Sequence, residues 1–482
     1  MKNKNNKTHD IKNFLFDNKV LLFFIVLCVV FALVAKTSVA YISTEVFARF
    51  SRNALIVLAL IIPCLAGLGM NFGITVGAIA AQIAIFWVVH WGFTGVKGML
   101  LCMLISTPLA ILFGWLVGKL YNKTKGAEMI AGLVLGFFAD GLYRLFVLYI
   151  IGGVIPYDDP NLLDRGFGLR NAFDLTGNLK YSVDDISFLS VMLVFCVAFA
   201  LIQLVKFFFE KEKSANERKA VLIKAAAGVC GAVLAIVMKK IPFTNEILGG
   251  TRLVLSNAML YGSVVYIVYT LVNQFVLKKT VDNKKLIIRL AVAVVALASC
   301  FVPSAAKVYK MVKLPACTYA LICLFCYFNN WILDTKLGQD MRTVGQNRIV
   351  AGSAGIKVDK IRIIATCIST VLAAWGQLVY LQNLGTFNTV SQQTNVGLYA
   401  VASILVGGAN VQKAKNSHAI IGVILFHTLF VVTPLAATNI FGDPAVAEYI
   451  RMFISYGVIA VSLAMHSWKK KKPAKAELSA EE

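Results

Sequence analysis

Acidic residues and histidines are scarce in this chain. Asp and Glu together number 24 against 47 Lys and Arg, only 15% of the 482 residues are charged, and the formal net charge is +23. The five histidines, His9, His90, His418, His427 and His466, are too scattered for a metal or catalytic cluster. No glycine-rich loop of the GxxxxGK[ST] type occurs, so the chain has no phosphate cradle of its own and does not hydrolyse ATP. Among ten cysteines the one CxxC, Cys323 and Cys326, lies in an apolar stretch without nearby histidines. That pattern fits thiols packed in a helix rather than a redox or metal site. No polar constellation suited to an integral membrane enzyme is present.

Hydrocarbon is what the chain has in abundance. Hydrophobic residues make up 59% and the mean hydropathy is +0.75, more than a water-soluble core can absorb. The apolar runs repeatedly reach about 20 residues, the length that spans a bilayer. They fall near residues 20–42, 53–70, 73–92, 97–118, 128–152, 186–208, 219–238, 251–277, 285–305, 315–334, 361–382, 396–412, 418–438 and 448–467. The reading is an all-α, polytopic transmembrane bundle of about 14 spans. The first run follows the basic stretch MKNKNNKTHDIKN and lacks a small-residue cleavage site, which predicts a retained first helix. An even span count puts both termini on one side, and the positive-inside rule makes that side the cytoplasm. Segments 1–19, 119–125, 206–224, 278–289, 336–362, 413–415 and 469–475 carry 32 of the 47 lysines and arginines. Topology therefore accounts for the charge, and no nucleic-acid partner is needed.

One polar segment stands between two strongly apolar ones: Thr335 to Arg362, TKLGQDMRTVGQNRIVAGSAGIKVDKIR. It carries Lys336, Arg342, Arg348, Lys357, Lys360 and Arg362 against Asp340 and Asp359. Residues 339–351 contain no proline and few β-branched side chains, which predicts a short surface helix with Gly352 and Gly355 as stop signals. By charge alone the segment is a solvated loop; its small-residue spacing adds more. The fixed positions are Thr335, Gly338, Arg342, Gly345, Asn347, Ala351, Gly355, Ile356 and Val358. In this register the segment resembles the loop by which membrane subunits of the branched-chain amino acid, ribose and nucleoside permease family of ABC importers couple to their ATPase. The resemblance implies a short helix on the cytoplasmic face seated in a groove of the nucleotide-binding subunit. Gly338, Arg342, Gly345, Asn347, Ala351, Gly355 and Ile356 are the implied coupling residues. Glycine lets the backbone approach a partner or turn sharply, and Ala351 leaves room for a partner surface.

Several positions are candidates to line a pathway. Residues 67–82, GLGMNFGITVGAIAAQ, place Gly69, Gly73 and Gly77 at four-residue spacing, with Asn71 and Gln82 on the same stretch. Two readings apply: a small-residue stripe for close helix packing, or, by family resemblance, a broken helix beside the translocation path. Asp140 and Arg144 stand at i,i+4 and can pair, and Asp140 is the one acid the sequence places convincingly inside a span. Residues 361–385 form a small-residue-rich helix ending in Gln377, Gln382, Asn383 and Gly385. Residues 395–426 resemble the family's stretch in which a short helix runs into a paired-glycine turn, here Gly407 and Gly408. Lys413, Lys415 and Asn416 replace the usual glycine-rich continuation. The loop 153–185, with Asp158, Asp159, Asp164, Asp174, Asp184 and Asp185 against Arg165, Arg170 and Lys180, suits an external face. It is either a docking surface for a binding protein or a plain solvated connection.

The resemblance covers about 53–160 and 315–467, whereas 209–313 have no recognised counterpart. The expected organisation is a basic tail (1–19), an N-terminal bundle part (20–208), about four inserted helices (209–313), a C-terminal bundle part (314–467) with loop 335–362, and a tail (468–482). A family-like core of about ten spans thus receives the insertion. The resemblance implies the permease subunit of an ATP-driven importer in the bacterial cytoplasmic (inner) membrane, working by alternating access. Its partners would be an ABC ATPase that binds ATP and Mg, an extracytoplasmic binding protein, a second permease copy or sister, and membrane lipid. No metal or cofactor is expected in this chain. Few charges line the candidate path, which favours an uncharged polar solute. The C-terminal part is closer to simple-sugar permeases, and Asn71-Phe72-Gly73-Ile74 followed by Gly77 is similar to the nucleoside branch. The alternative is an ion-gradient-driven secondary transporter, which would favour an inverted repeat and more buried acids.

Overall fold

The computed structural model describes residues 19–156, 162–163, 167–209, 215–275, 283–390, 392–410 and 413–467. Residues 1–18 and 468–482 lie outside these residues, as do Asp158, Asp159, Asp164 and Arg165 and the stretches 210–214 and 276–282. In chain order the helices are α1 Lys19–Ala35, α2 Val39–Leu58, α3 Ile61–Leu65, α4 Thr75–His90, α5 Gly95–Lys123, α6 Glu128–Leu145, α7 Phe188–Phe209, α8 Ala215–Lys240, α9 Pro242–Leu248 and α10 Leu255–Phe275. They continue as α11 Asn283–Ser299, α12 Pro303–Met311, α13 Ala316–Asp334, α14 Lys336–Gln346, α15 Arg348–Ser353, α16 Val358–Leu384, α17 Gln392–Val406, α18 Asn416–Phe441 and α19 Pro444–Ser467. The short strands β1 Ala172–Asp174, β2 Arg252–Val254, β3 Lys313–Pro315 and β4 Thr386–Asn388 pair antiparallel as β1 with β4 and β2 with β3.

Among the described residues ten helices are long and apolar enough to cross a membrane, eleven if Leu286–Ser299 and Pro303–Met311, bent by 85°, make one span. Lys19–Ala35 and Leu255–Val268 are apolar but shorter. The fourteen apolar segments of the sequence are therefore not fourteen full-length spans. The run expected at 20–42 stops at Ala35; Lys36 takes a left-handed φ of 49°, and α2 starts anew at Val39. The segment at 396–412 is the 15-residue α17 followed by a turn, too short to span and buried along most of its length.

The chain forms two compact units, Met1–Ser38 with Arg52–Lys180 and Leu324–Glu482, and Val39–Ser51 with Tyr181–Cys323. The second contains the expected insertion 209–313 but begins earlier. Within it α7 packs along α8, and α11 along α10. Asp184, expected on an external loop, is fully buried there and accepts a hydrogen bond from the Thr318 hydroxyl at 2.5 Å.

In the first unit α16 lies against both α4 and α5, where small residues let backbones meet. A Cβ on Gly77 would stand 2.6 Å from the Thr370 carbonyl, and one on Gly114 2.8 Å from Cys367 Cα. The 27 residues of α16 extend about 40 Å at 1.5 Å per residue, so its two ends present separate surfaces. At its start lie α14 and α15. At its end the left-handed Gly385 turns the chain into β4, and Leu175 donates its N–H to the Gly385 carbonyl beside the β1–β4 pair. A third cluster joins α1 to α17, α18 and α19 through Phe24, Cys28, Val406, Phe426 and Val458.

Candidate functional site

The segment from α2 to α4 is a broken helix, and its glycines do not form one continuous packing stripe. Gly67 and Gly69 take left-handed φ values of 73° and 71° in the turn after α3, and Phe72–Ile74 form a single 3₁₀ turn that leads into α4. L-residues adopt such φ values reluctantly, which is why glycine occupies both positions. Of the expected stripe, Gly69 lies in the turn, Gly73 in the 3₁₀ turn and only Gly77 in the regular helix. A break frees backbone groups that hydrocarbon cannot satisfy, and the protein interior supplies partners. Asn329 Nδ2 donates to the Leu58 carbonyl at 3.1 Å and Ser369 Oγ to the Ala59 carbonyl at 2.8 Å. The Cys64 thiol donates to the Asn410 carbonyl, just past the paired glycines.

The polar segment folds as two short helices rather than the single one predicted over 339–351. Asn347 ends α14 with an extended backbone and caps α15, its Oδ1 accepting from the N–H groups of Ile349 and Val350 at 3.0 and 3.2 Å. Thr335 caps α14 in the same way through the Gly338 N–H. Gly355, with φ of 81°, ends the second helix, and the Ile356 N–H reaches back to the Ala351 carbonyl at 3.0 Å.

The apolar positions of α14, Gly338, Met341 and Val344, point into the unit, and Arg342 is exposed. Gly338 packs on the backbone of Ile332 and Leu333, which a side chain would strike. Gly345, expected to let the backbone approach a partner or turn sharply, and Ala351, expected to leave room for a partner surface, both lie against the chain itself. A Cβ on Gly345 would collide with the Leu65 carbonyl, one on Gly67 would lie 2.8 Å from Gly345 Cα, and Ala351 is fully buried. The free surface lies at the tip, where Ile349 is 83% and Val350 55% exposed beside an open Gly355.

This two-helix segment is clamped to the broken helix by charges that the sequence reading did not single out as a site. Glu128, buried at the start of α6, accepts from Arg362 Nη2 at 2.5 Å and from Arg348 Nη2 at 2.7 Å, both on Oε1. Its Oε2 accepts the Gly126 N–H at 3.0 Å. Arg348 Nη2 also donates to the Gly67 carbonyl at 2.8 Å, and Arg362 Nη2 to the Tyr121 carbonyl at 3.2 Å. The Tyr121 hydroxyl donates to Asn71 Oδ1 at 2.7 Å, and a Cβ on Gly73 would sit 2.7 Å from that hydroxyl. Lys125 lies 3.5 Å from Asp359 at the surface of the same corner. The signal in the sequence was a glutamate opening one apolar run, 128–152, and an arginine second in another, 361–382.

The remaining candidates fall in several places. Asp140 and Arg144 do pair, at 2.8 Å, and Asp140 also accepts from Gln393 Nε2 at 2.5 Å, a partner the sequence did not reveal. Asp140 is not the one buried acid, since Glu128 and Asp184 are buried too. Gln82 on α4 and Gln377 on α16 are fully buried, and their side-chain amides have no hydrogen-bond partner among the described residues. Asn383 belongs to the far end of α16, where its Oδ1 accepts from Arg52 Nε at 2.5 Å. Gly407 touches the backbone of α18 at the His418 carbonyl, while Gly408 makes the turn with φ of 91°. A recess at the break, lined by Phe72, Thr75, Gly136, Phe137 and Thr394, has a volume of about 10 Å³, room for one water-sized molecule.

A comparison with protein-family models matches residues 189–463 to the permease component of branched-chain amino acid transport systems. No curated protein and no solved structure matches the chain. The matched region contains α14 and α15, α16 and the paired-glycine turn, and it begins after the broken helix. More than half of the chain lies under this match, and with its long apolar helices the protein is a multi-pass membrane permease of that family, a transport subunit of the ABC type.

Proposed function

We propose that this chain is the permease subunit of an ATP-driven importer, that α14 and α15 receive the stroke of a separate ABC ATPase, and that a small uncharged polar solute, a simple sugar or nucleoside, moves inward by alternating access. The carrying observation is the exposed apolar pair Ile349 and Val350 on a short, capped helix in an otherwise basic segment. Apolar side chains offered to water on a rigid helix favour a protein groove. The ATPase supplies ATP and Mg; a binding protein delivers solute at the opposite end of α16, near the β1–β4 pair. A second permease copy or sister completes the pore, and the assembly sits in the bacterial inner membrane. Alternating access needs an element with two packings that differ in affinity for the ATPase states, and the broken helix with its left-handed glycines is that element.

The test is copurification from the native membrane. The wild-type chain is expected to bring down an ATPase, and Ile349→Asp to lose it while the permease still extracts and unfolds as a compact protein. An ATPase retained by Ile349→Asp moves the docking surface elsewhere. A wild-type chain that purifies alone and transports in vesicles without ATP ends the importer reading.

A further inference from the structure

We infer that Arg348 is a positioning residue for energy coupling: it is the surplus cation of the Glu128 cluster, and it ties the α14–α15 segment to the turn of the broken helix. The inference rests on the importer reading above.

One carboxylate, Glu128, faces two guanidiniums, Arg348 and Arg362. Charges withdrawn from water need a counter-charge, and one cation suffices for one carboxylate. Arg362 is the structural member: its side chain is fully buried, and removing Glu128 would strand it. Arg348 is 31% exposed, so losing it leaves Glu128 paired with Arg362 and the cluster neutral. A residue that charge balance does not require, yet holds two acceptors, has its function in what it connects.

The same nitrogen, Arg348 Nη2, contacts Glu128 on α6 and the carbonyl of Gly67, where the helix breaks with left-handed φ. Arg348 is also the first residue of α15, next to the exposed Ile349 and Val350. A displacement of the tip thus reaches the hinge glycine through one side chain. The Gly345–Gly67 backbone contact and the Arg362–Tyr121–Asn71 chain hold the rest of the turn in register.

The experiment uses the complex of the full chain with its ATPase and binding protein in liposomes, with radiolabelled ribose and uridine as probe solutes. Arg348→Met is expected to retain the ATPase and the wild-type thermal unfolding temperature, while solute moved per ATP hydrolysed falls roughly five- to tenfold, within the range of common coupling energies. Because one nitrogen makes both contacts, an ammonium can replace it, and Arg348→Lys is expected to restore most of the ratio. A second readout needs no solute. Maleimide labelling of Met70→Cys, a buried position in the turn, is expected to differ between nucleotide-free and ATP-trapped complexes, and to lose that difference in Arg348→Met. A wild-type ratio, an intact labelling difference, loss of the ATPase, a collapsed unfolding temperature in Arg348→Met, or no restoration by lysine each overturns the assignment. A wild-type complex whose ATP hydrolysis drives no uptake of either probe overturns the sugar-or-nucleoside part of the reading above instead, and the labelling arm still decides the role of Arg348.

Discussion

Glu128 and Asp140 sit at different levels of the same helix, α6, and both are buried carboxylates facing arginine, yet they organise the protein differently. Asp140 pairs with Arg144 one turn along its own helix, and that arginine is 44% exposed. Glu128 draws its two arginines from a segment more than two hundred residues away, one of them fully buried, and through them holds the turn at Gly67 and the end of α5. A local pair steadies one helix, and its long arginine can reach toward polar surroundings at the helix end when the pair is broken. A non-local cluster fixes the relative placement of five segments, α6, α15, α16, the turn at Gly67 and the end of α5, so its loss is felt wherever they meet.

Three substitutions sharpen this contrast, read by thermal unfolding of the detergent-solubilised protein. Glu128→Gln is expected to be the most damaging, about 3–5 kcal/mol, because it leaves the buried Arg362 uncompensated beside a second cation. Arg144→Met should cost about 1–2 kcal/mol, since Asp140 keeps Gln393 as a donor but loses its counter-charge. Asp140→Asn should cost less than about 1 kcal/mol: the amide still accepts from Gln393, and the long Arg144 side chain can reach polar surroundings. If Arg144→Met proved as damaging as Glu128→Gln, the distinction between local and non-local clusters would fail.

A fourth prediction separates the two glycines of the segment. Gly345→Val should disrupt the first unit, because the added carbons meet the Leu65 backbone rather than a flexible side chain. Gly355→Ala has open space around it and carries only the strain of a left-handed residue, about 1 kcal/mol. The unfolding temperature should fall sharply for the first and by a few degrees for the second; equal shifts would place both glycines on the surface.

Much of this was legible in the residues. The helix end at Gly385 and the Asp140–Arg144 pair follow from local rules of helix capping and i,i+4 geometry, and the turn at Gly407 and Gly408 and the break near Asn71 are implied by the family resemblance. Other features misled because the same residue serves two purposes. Gly345 reads as a close approach to a partner or a sharp turn and Ala351 as room for a partner, and both lie against the chain itself, since a small residue reports a close approach without saying what approaches. Asn347, a coupling position implied by the resemblance, falls inside the helix expected over 339–351 and caps the second helix instead, because the run of basic and small residues continues across it.

The sequence by itself determined that the chain is a polytopic membrane protein, through apolar runs too long and numerous for a water-soluble core. It also determined the family, through a spacing of small and basic residues around Thr335 to Arg362 that the family match at 189–463 contains. Only the tertiary structure decided that Glu128, Arg348, Arg362 and Gly67 are one cluster. Pairing between residues far apart in the chain depends on how α4, α5, α6 and α16 pack. Helix periodicity specifies which face of each helix is apolar, and leaves open which helix lies against it.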